Sequence, residues 1–478
     1  QPVYVAAPGF GYADAGYSAF KTAQIARAAA VYVAANDVML HAFDAGTYNS
    51  VSQQYTAGTG AENWAYIPPP VMPNLWILAD NNYANLHRYF VDGSPTVGDA
   101  FIGGAWKTIL VGGLNKGGRG FYALDVTDPA NPQGLWNFTS SDDSDLGFSY
   151  GNPVITKRPD GTWVVLITSG YNNVSPGDGK GYLYVLDAAT GAVLNKITTN
   201  EGSASDPSGF ARISNWTDNG NTDNRTTYVY GGDLKGNLWR FDLSNNSVLK
   251  MATLTAGGVV QPVTSRPELG LVNTNRVVLL GTGQLLGVSD LVTNAQQSFY
   301  AIKDTGVSLG DVRAGGTLVQ QSLIDVSVNG QNLRTTTTNQ VDWATKNGWY
   351  TDLPDNVGAA GKGSERVNID PKLQLGALVF ASNVPDANAC TVGGYSWKYH
   401  LDYLTGQYIS NSLNQIGGIQ YPKAFHVGIN VVRLPNGKTV SISTTADDKR
   451  GSDPVATGGA GGGLNAKRVS WRELLDEK

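Results

Sequence analysis

The sequence GGDLKGNLWRFDL, from Gly231 to Leu243, is one copy of a unit that recurs along this chain of 478 residues. In each copy an apolar strand leads into a turn rich in Gly and Asn, and a second apolar strand ends on an aspartate. Alternating Val, Tyr, Phe and Leu residues bounded by such turns predict β-hairpins. The closing aspartates of the six copies are Asp44, Asp125, Asp187, Asp242, Asp304 and Asp402. This recurrence predicts a repeated all-β architecture.

A second recurring element precedes several hairpins. It reads DGSPTVGD from Asp92, YGNPVIT from Tyr150 and QPVTS from Gln261. Proline has a fixed φ and donates no hydrogen bond, so it suits the first residue of a strand, and small neighbours let strands converge. Each unit is therefore expected to begin with an inner strand near a central axis.

A last hairpin is predicted from Phe425 to Thr445, around the turn at Asn436 and Gly437. Together with the six repeats it gives about seven sheets, which is within the range of four to eight blades found in propellers. The spacing of the repeats is longer and more variable than the ~40 to 50 residues of a minimal blade. We therefore predict an all-β propeller of about seven modified blades with short helical insertions.

The predicted domain organisation has three parts. Residues 1–30 form a lead with a short helix over Ser18–Ala30, N-capped by Ser18, and residues 31–446 form the propeller. Residues 447–478 comprise a Gly-rich linker and a docking segment that offers Val469, Trp471 and Leu474. The stretch 306–371 is expected to form a further sheet whose blade pattern has drifted.

Composition excludes several classes of function. The net charge is −5 and no Lys/Arg cluster is longer than a pair, which argues against nucleic-acid binding. No apolar run reaches the ~18 residues of a membrane span, and we expect a soluble fragment of a longer protein. Charged residues make up 15%, which suits an extracellular protein. Cys390 is the single cysteine, so no disulfide can form within the chain, and a small buried loop residue is expected there.

The loop DNGNTDNRTT, just ahead of the fourth hairpin, is the first candidate for a metal site. Calcium takes six to eight oxygen ligands, which a tight loop supplies at alternate positions. That alternation is offered by Asn219, Asn221, Asp223, the carbonyl of Arg225 and Thr227. With a single carboxylate in this set the affinity would be weak, and a polar turn that needs no ion is the alternative.

Other polar clusters are weaker candidates for function. The acidic stretch SSDDSDLG contains Asp142, Asp143 and Asp145, and the tripeptide GDG adds Asp178, but a solvated turn is favoured for both. The four histidines, His41, His87, His400 and His426, lack the spacing of helical metal ligands. The recurring aspartates are best explained as turn caps that accept backbone N–H bonds. No motif in the sequence proposes a catalytic nucleophile.

Several segments carry a resemblance to a known family. They are YVAANDVMLHAFDAG, the long stretch from YFVDGSPTVGDAFIGG to YALDVTDPANPQ, FSYGNPVIT, YGGDLKGNLWRFDL and the terminal RVSWREL. In these segments, and in their order, the chain resembles the C-terminal domain of the PilY family of type IV pilus biogenesis and tip-adhesin proteins. The resemblance covers nearly the whole chain.

The resemblance implies a modified seven-bladed propeller in a larger secreted protein, located at the pilus tip, the cell surface or the outer membrane. It implies partners among the pilins or minor pilins, the N-terminal region of the same protein, and host or abiotic surface ligands. The implied roles are pilus extension against retraction, twitching motility, surface adhesion and a contribution to virulence.

The resemblance also implies a calcium switch directly before the GDLxGNLWRFDL hairpin. Placed on that pattern, this chain has Asn219 and Thr227 where aspartate is preferred. Asp218 could shift the register and serve as the first ligand. The loss of two anionic ligands weakens the attraction for calcium.

Two alternatives to a non-enzymatic pilus module remain open at this point. Quinoprotein dehydrogenases of the pyrroloquinoline quinone type also use propellers with Gly, Trp and Asp repeats, but they typically have adjacent cysteines near the cofactor. A single cysteine cannot form such a pair. The other alternative is a generic propeller scaffold that binds a different protein.

Overall fold

The computed structural model describes residues 2–386, 393–434, 436–447 and 449–456. Strands dominate, and those of the first half group into antiparallel units. The first unit contains Val3–Val5, Ala29–Ala34, Leu40–Gly46 and Glu62–Tyr66, and the second contains Thr96–Ile102, Ala105–Gly113, Gly120–Asp125 and Gln133–Thr139. The third contains Val154–Lys157, Trp163–Thr168, Tyr182–Asp187 and Val193–Thr198, and the fourth contains Arg212–Asn219, Asp223–Gly232, Asn237–Asp242 and Ser247–Thr253. A parallel bridge between Lys157 and Arg225 joins the third unit to the fourth in one eight-stranded sheet.

The second half contains three sheets, of five, six and three strands. The fifth unit contains Glu268–Val272, Asn275–Gly281, Gln297–Lys303, Gly348–Leu353 and Val319–Gln321. The sixth contains Lys372–Gln374, Ala377–Pro385, Gly394–Asp402, Gly418–Tyr421, Gln331–Thr336 and Leu323–Val328, and the seventh contains His426–Arg433, Thr439–Thr445 and Arg450–Pro454. Two small ribbons pair Tyr48–Asn49 with Gln54–Tyr55 and Thr255–Ala256 with Val259–Val260.

Helices are short and lie between strands. The α-helices span Tyr17–Ala23 and Tyr83–Leu86, and the 3₁₀-helices span Pro69–Ala79, Val288–Val292 and Leu413–Gln415. No helix in the described part of the chain has the length and apolar character needed to span a bilayer.

The units surround a central cavity of about 380 Å³. The cavity is lined by residues from the first strands of the first to fourth and seventh units, and by a residue just before the first strand of the fifth. They include Val3, Val97, Ile155, Asn215, Arg266 and Asn430. The sheets are therefore arranged around an axis with their first strands innermost, as the repeats predicted.

Both faces of the central strands are buried between neighbouring units. In the second unit Val111 and Phe121 share an apolar cluster with Val165 of the third unit. Tyr122, from the opposite face of the second unit, shares a cluster with Leu40 of the first. Each fully buried side chain of this size stabilises the fold by about 1.5–3 kcal/mol. These inter-unit layers explain why the strands read as continuous apolar runs rather than as clean alternation.

Two boundaries near the ends of the chain differ from the prediction. The helix covers Tyr17–Ala23 rather than Ser18–Ala30, and Gly16, at φ 79°, is its N-cap in place of Ser18. Ala29 and Ala30 are instead buried in a strand that pairs with Leu40–Gly46, since the small side chains fit the packed sheet. Strand pairing also reaches beyond residues 31–446, from Val3 to Pro454.

Two other segments also differ from the prediction. The stretch 306–371 forms no separate sheet, because its strands add to the outer edges of the fifth and sixth units. The segment QPVTS does not form the inner strand of the fifth unit, which is Glu268–Val272. The N–H of Val263 instead donates to the carbonyl of Asp233, and the Val263 side chain packs over Gly232. These contacts link the fourth unit to the fifth. Cys390 and residues 457–478, including the predicted docking segment, lie outside the described residues.

Candidate functional site

The segment with the predicted calcium ligands is a β-hairpin in the fourth unit. Strands Arg212–Asn219 and Asp223–Gly232 pair antiparallel, and Asn219 lies opposite Asp223. The N–H of Thr222 donates to the carbonyl of Asn219 at 2.8 Å and closes the turn. We call residues 218–227 the tip hairpin. Its residues Gly220 and Asn224 line the central cavity.

The charged side chains of the tip hairpin are already engaged with groups of the protein. The Asp218 carboxylate accepts a bond from Trp216 Nε1 at 2.8 Å. The Asp223 carboxylate lies 2.7 Å from Lys157 Nζ, and its other oxygen lies 3.9 Å from Arg225 Nε. Two cations therefore face Asp223.

The remaining predicted ligands are held by backbone bonds. The carbonyl of Asn221 accepts the N–H of Gly11 at 3.0 Å, and the carbonyl of Thr227 accepts the N–H of Leu243 at 2.9 Å. Asp223, Arg225 and Thr227 belong to one strand, Asp223–Gly232. The hairpin thus brings Asn219 next to Asp223 but spreads the other positions along the strand.

This arrangement does not fit a calcium site formed by the predicted ligands. Consecutive residues of a regular strand advance by about 3.3 Å, which would place Asp223 and Thr227 about 13 Å apart. Two irregularities in the pairing of this segment shorten that separation, but Asp223 and Thr227 stay four positions apart in a paired strand. Calcium requires its oxygen ligands within about 2.3–2.6 Å of one point. The oxygen ligands of the EF-hand type converge because their loop curls, whereas Asp223 and Thr227 belong to a paired strand.

A segment from the N-terminal part of the chain is attached to the tip hairpin. The N–H groups of Gly11 and Ala13 donate to the carbonyls of Asn221 and Thr222 at 3.0 and 2.8 Å. The next acid along this segment, Asp14, lies 2.6 Å from Lys157 Nζ. Lys157 therefore donates a hydrogen bond to Asp14 and forms an ion pair with Asp223, two carboxylates from distant parts of the chain.

Sequence reasoning missed both Lys157 and Asp14 as residues of this site. Lys157 ends the strand Val154–Lys157, and Asp14 lies 143 residues away from it. A charged residue next to an apolar run, VIT, is a weak signal for a buried ion pair. The partner could not be read from spacing, because it comes from another part of the fold.

The secondary acidic candidates come together around another lysine. Lys196 Nζ lies 2.8 Å from Asp143 and 2.7 Å from Asp145, and it lies over the ring of Tyr182 at 4.4 Å. The N–H of Asp178 donates to Asp145 at 2.8 Å. Asp142 instead caps a turn by accepting two bonds from Thr139. The favoured turn interpretation therefore describes Asp142, while the lysine neutralises the neighbouring acids.

The six recurring aspartates cap turns, as predicted. Each carboxylate accepts the N–H of the residue two positions later, at 2.8–3.0 Å. The pairs are Asp44 with Gly46, Asp125 with Thr127, Asp187 with Ala189, Asp242 with Ser244, Asp304 with Gly306, and Asp402 with Leu404. The recurrence thus has a structural cause that is repeated once in each of the first six units.

The GDLKGNLWRF motif is held together by the carboxylate of Asp233, which is fully buried. It accepts the N–H groups of Lys235 and Asn237 at 3.0 and 2.8 Å, and Trp239 Nε1 at 2.8 Å. Burial raises the pKa of Asp233, and the hydrogen bonds from Asn237 and Trp239 oppose the rise. Gly236 has φ 71°, a left-handed conformation that favours glycine. The motif is therefore a locked hairpin turn.

We expect Asp233→Asn to destabilise the folded chain. The amide can accept at only one of its two positions, so Trp239 Nε1 or two backbone N–H groups lose a buried acceptor. Leaving a buried donor unsatisfied costs about 1–3 kcal/mol. Urea denaturation should show this loss, and Asp242→Asn, at an exposed turn cap, should cost less. Equal stability of Asp233→Asn and the native chain would contradict the turn-lock role.

The histidines form no common site. Burial lowers the pKa of His41, but hydrogen bonds to Glu62 and Asp37 outweigh burial and raise it above its ordinary value. His400 of the sixth unit and His426 of the seventh are both buried, and each contacts a serine of the other unit. His87 packs against Tyr83 and Tyr89. Across the residues that the structure describes, no group of three or more His, Cys, Asp or Glu side chains is placed to hold a metal ion.

Comparisons with known proteins agree with this architecture. The family model of the PilY1 beta-propeller domain matches residues 3–252. A type IV pilus biogenesis factor PilY1 homolog of Xylella fastidiosa is 34% identical over 505 residues, covering 99% of this chain and 38% of the relative. Type IV pilus biogenesis factor PilY1 of Pseudomonas aeruginosa is 33% identical over 440 residues, covering 82% of this chain and 36% of the relative.

A solved structure gives the same result for the fold. The crystal structure of the Pseudomonas aeruginosa PilY1 C-terminal domain is similar with a TM-score of 0.73 and 27% identity, covering 95% of this chain and 100% of that chain. The chain spans little more than a third of the length of the two relatives above. The predicted all-β propeller is confirmed, and the chain belongs to the PilY1 family, whose β-propeller domain it contains.

Proposed function

We propose that this chain is the propeller module of a type IV pilus biogenesis factor and acts at the pilus on the cell surface without catalysing a reaction. The observation that carries the proposal is the 34% identity with a PilY1 homologue across 99% of the chain. The recurring acids support a non-catalytic role. Asp233 is fully buried in a turn, and the six closing aspartates cap turns through backbone bonds.

The finer part of the proposal is that the module supports pilus extension against retraction, and through it twitching motility and adhesion to host or abiotic surfaces. Pilins or minor pilins, and the N-terminal region of the same protein, are the proposed partners. Exposed apolar side chains in the insertion between the first two units support protein contacts. Trp76 is 59% exposed and Met72 is 48% exposed. Calcium control is not part of the proposal, since the tip hairpin does not fit the ion.

A deletion experiment tests this function in the bacterium that encodes the chain. Deleting the gene should remove most surface pili and abolish twitching, because retraction then proceeds without opposition. The intact gene should restore both properties, and a version without the codons for this chain should not. Normal piliation and twitching in the deletion strain would contradict the proposal.

A second deletion separates the finer role from pilus assembly. In a strain that also lacks the retraction motor, pili should return to the surface if the module opposes retraction. Continued absence of pili there would assign the module to assembly itself. Surface pili can be sheared and quantified by pilin immunoblot in all strains.

A further inference from the structure

The ammonium group of Lys157 lies beside the tip hairpin, between the carboxylates of Asp14 and Asp223. Its Nζ lies 2.6 Å from an oxygen of Asp14 and 2.7 Å from an oxygen of Asp223, and the side chain is 3% exposed. We propose that this ammonium is the resident cation of the tip hairpin, so that the hairpin keeps its conformation without calcium. The inference concerns the folded chain and does not depend on the proposed pilus function.

The charge around Asp223 favours the lysine over a soluble ion. Lys157 Nζ and Arg225 Nε face the two carboxylate oxygens at 2.7 and 3.9 Å. A calcium ion that approaches this carboxylate meets two positive charges. The ammonium of Lys157 is 3% exposed and is little screened by water, whereas Arg225 is 45% exposed and repels the ion less. Displacing Lys157 would also leave a buried ammonium without its carboxylate partners, which is strongly unfavourable.

The lysine is held in place by its surroundings. Its strand, Val154–Lys157, pairs with Trp163–Thr168, and Lys157 lies directly opposite Trp163. The ammonium also lies 5.6 Å from the centre of the Trp163 ring. A positive charge near an aromatic face is attracted to it. The ammonium is therefore positioned before any ion arrives, and little conformational entropy is lost in holding it.

The ion pair joins the N-terminal segment to the tip hairpin. Gly11 and Ala13 bond the carbonyls of the hairpin turn, and Asn224 Nδ2 donates to the hydroxyl of Tyr12 at 3.2 Å. Asp14 follows directly and completes the contact through Lys157. The charge of Lys157, rather than the calcium concentration, therefore holds the N-terminal segment against the tip hairpin beside the central cavity.

The native chain provides the first test and needs no variant that could fail to fold. Calorimetry with CaCl₂ should give no saturable heat that Asp223→Asn removes, and the unfolding temperature should be equal in millimolar CaCl₂ and in EGTA. Terbium is a second probe, because Trp216 in the hairpin strand can sensitise its emission. A saturable calcium heat or a terbium signal that Asp223→Asn abolishes would overturn the proposal.

Removing the ammonium provides the second test. Lys157→Met keeps the length of the side chain, and it should lower the unfolding temperature by several degrees. It should also speed amide hydrogen exchange at Gly11 and Ala13 by at least about tenfold, because these bonds open locally. Lys180→Met is the matched control, since Lys180 makes a half-exposed pair with Asp178. Native exchange rates and stability in Lys157→Met would overturn the proposal.

Discussion

Replacing Arg334 with Met should destabilise the chain by about 3–5 kcal/mol, the cost of leaving a buried charge without its partner. The guanidinium is fully buried in the sixth unit. Its Nε and Nη1 donate to Asp325 and Glu365, both at 2.8 Å, and Nη2 pairs with Asp355. Two of these carboxylates, Glu365 and Asp355, are largely buried and depend on this cation, whereas Asp325 is 74% exposed.

The carboxylate of Glu365 makes the substitution costly. Its side chain is fully buried, and it also accepts a bond from the Tyr399 hydroxyl at 2.6 Å. The Arg334 guanidinium lies 3.7 Å from the ring centre of Trp397, so methionine would also lose a cation–π contact. Burial lowers the pKa of Arg334, but Tyr399, Glu365 and Asp355 together outweigh burial and raise it, so the guanidinium stays charged.

Equilibrium urea denaturation measures this effect. Arg334→Lys should fall between the native chain and Arg334→Met, because lysine keeps the charge but cannot make the forked bonds. Combining Arg334→Met with Glu365→Gln should recover part of the loss, since the buried anion is then neutral. Arg88→Met is the control, because Arg88 is exposed and bonds only Asn74 in the described chain. A loss below about 1 kcal/mol for Arg334→Met would contradict this account.

The repeated hairpins could be predicted because their determinants are local. The turn of Asp233–Asn237 and the six aspartate caps depend on residues within four positions of each other. Short apolar runs and turn composition are also local, so the order of the strands followed from the sequence. The β-propeller then follows from repetition of one local unit.

The ion pairs between distant parts of the fold could not be predicted in the same way. Lys157 is joined to Asp14 across 143 residues, and Arg334 to Glu365 across 31 residues. The alternation of oxygen side chains in the tip hairpin predicted a curled loop, whereas strand pairing extended it. Tertiary pairing decides such positions, because a hydrogen-bonded ladder outweighs the local preference of polar residues for turns. Single-sequence spacing therefore located a polar segment but predicted neither its strand pairing nor the cation beside it.

Lowering the pH from 7 to 5 should destabilise the chain through His400 and His426. Burial lowers the pKa of each imidazole to about 4, and the nearby positive charge of Lys398 acts in the same direction. His400 Nε2 lies 3.0 Å from Ser441 Oγ, and His426 Nδ1 lies 2.8 Å from Ser396 Oγ. Both rings are therefore held neutral in the folded state.

The direction of the effect follows from proton linkage. The unfolded chain binds protons at these residues below an ordinary pKa of about 6.5, whereas the folded chain binds them only near pH 4. Their stabilising contribution is complete above pH 6.5 and is lost as the pH falls toward 4. At pH 5 the expected loss is about 2 kcal/mol for each histidine. Burial raises the pKa of Asp453, but hydrogen bonds from Lys398 and Tyr421 outweigh burial and lower it below its ordinary value. Asp453 therefore loses its stabilising contribution only in more acidic solution.

Urea denaturation at pH 7 and pH 5 tests this prediction. His400→Gln and His426→Asn, which can keep one hydrogen bond each, should each remove about half of the loss between the two pH values. His87→Gln should leave the loss unchanged, because His87 is exposed and packs only against aromatic rings in the described structure. His41 has a raised pKa and acts in the opposite direction, so His41→Gln should make the loss larger. A loss that persists in the His400→Gln/His426→Asn double variant would assign the acid sensitivity to other groups.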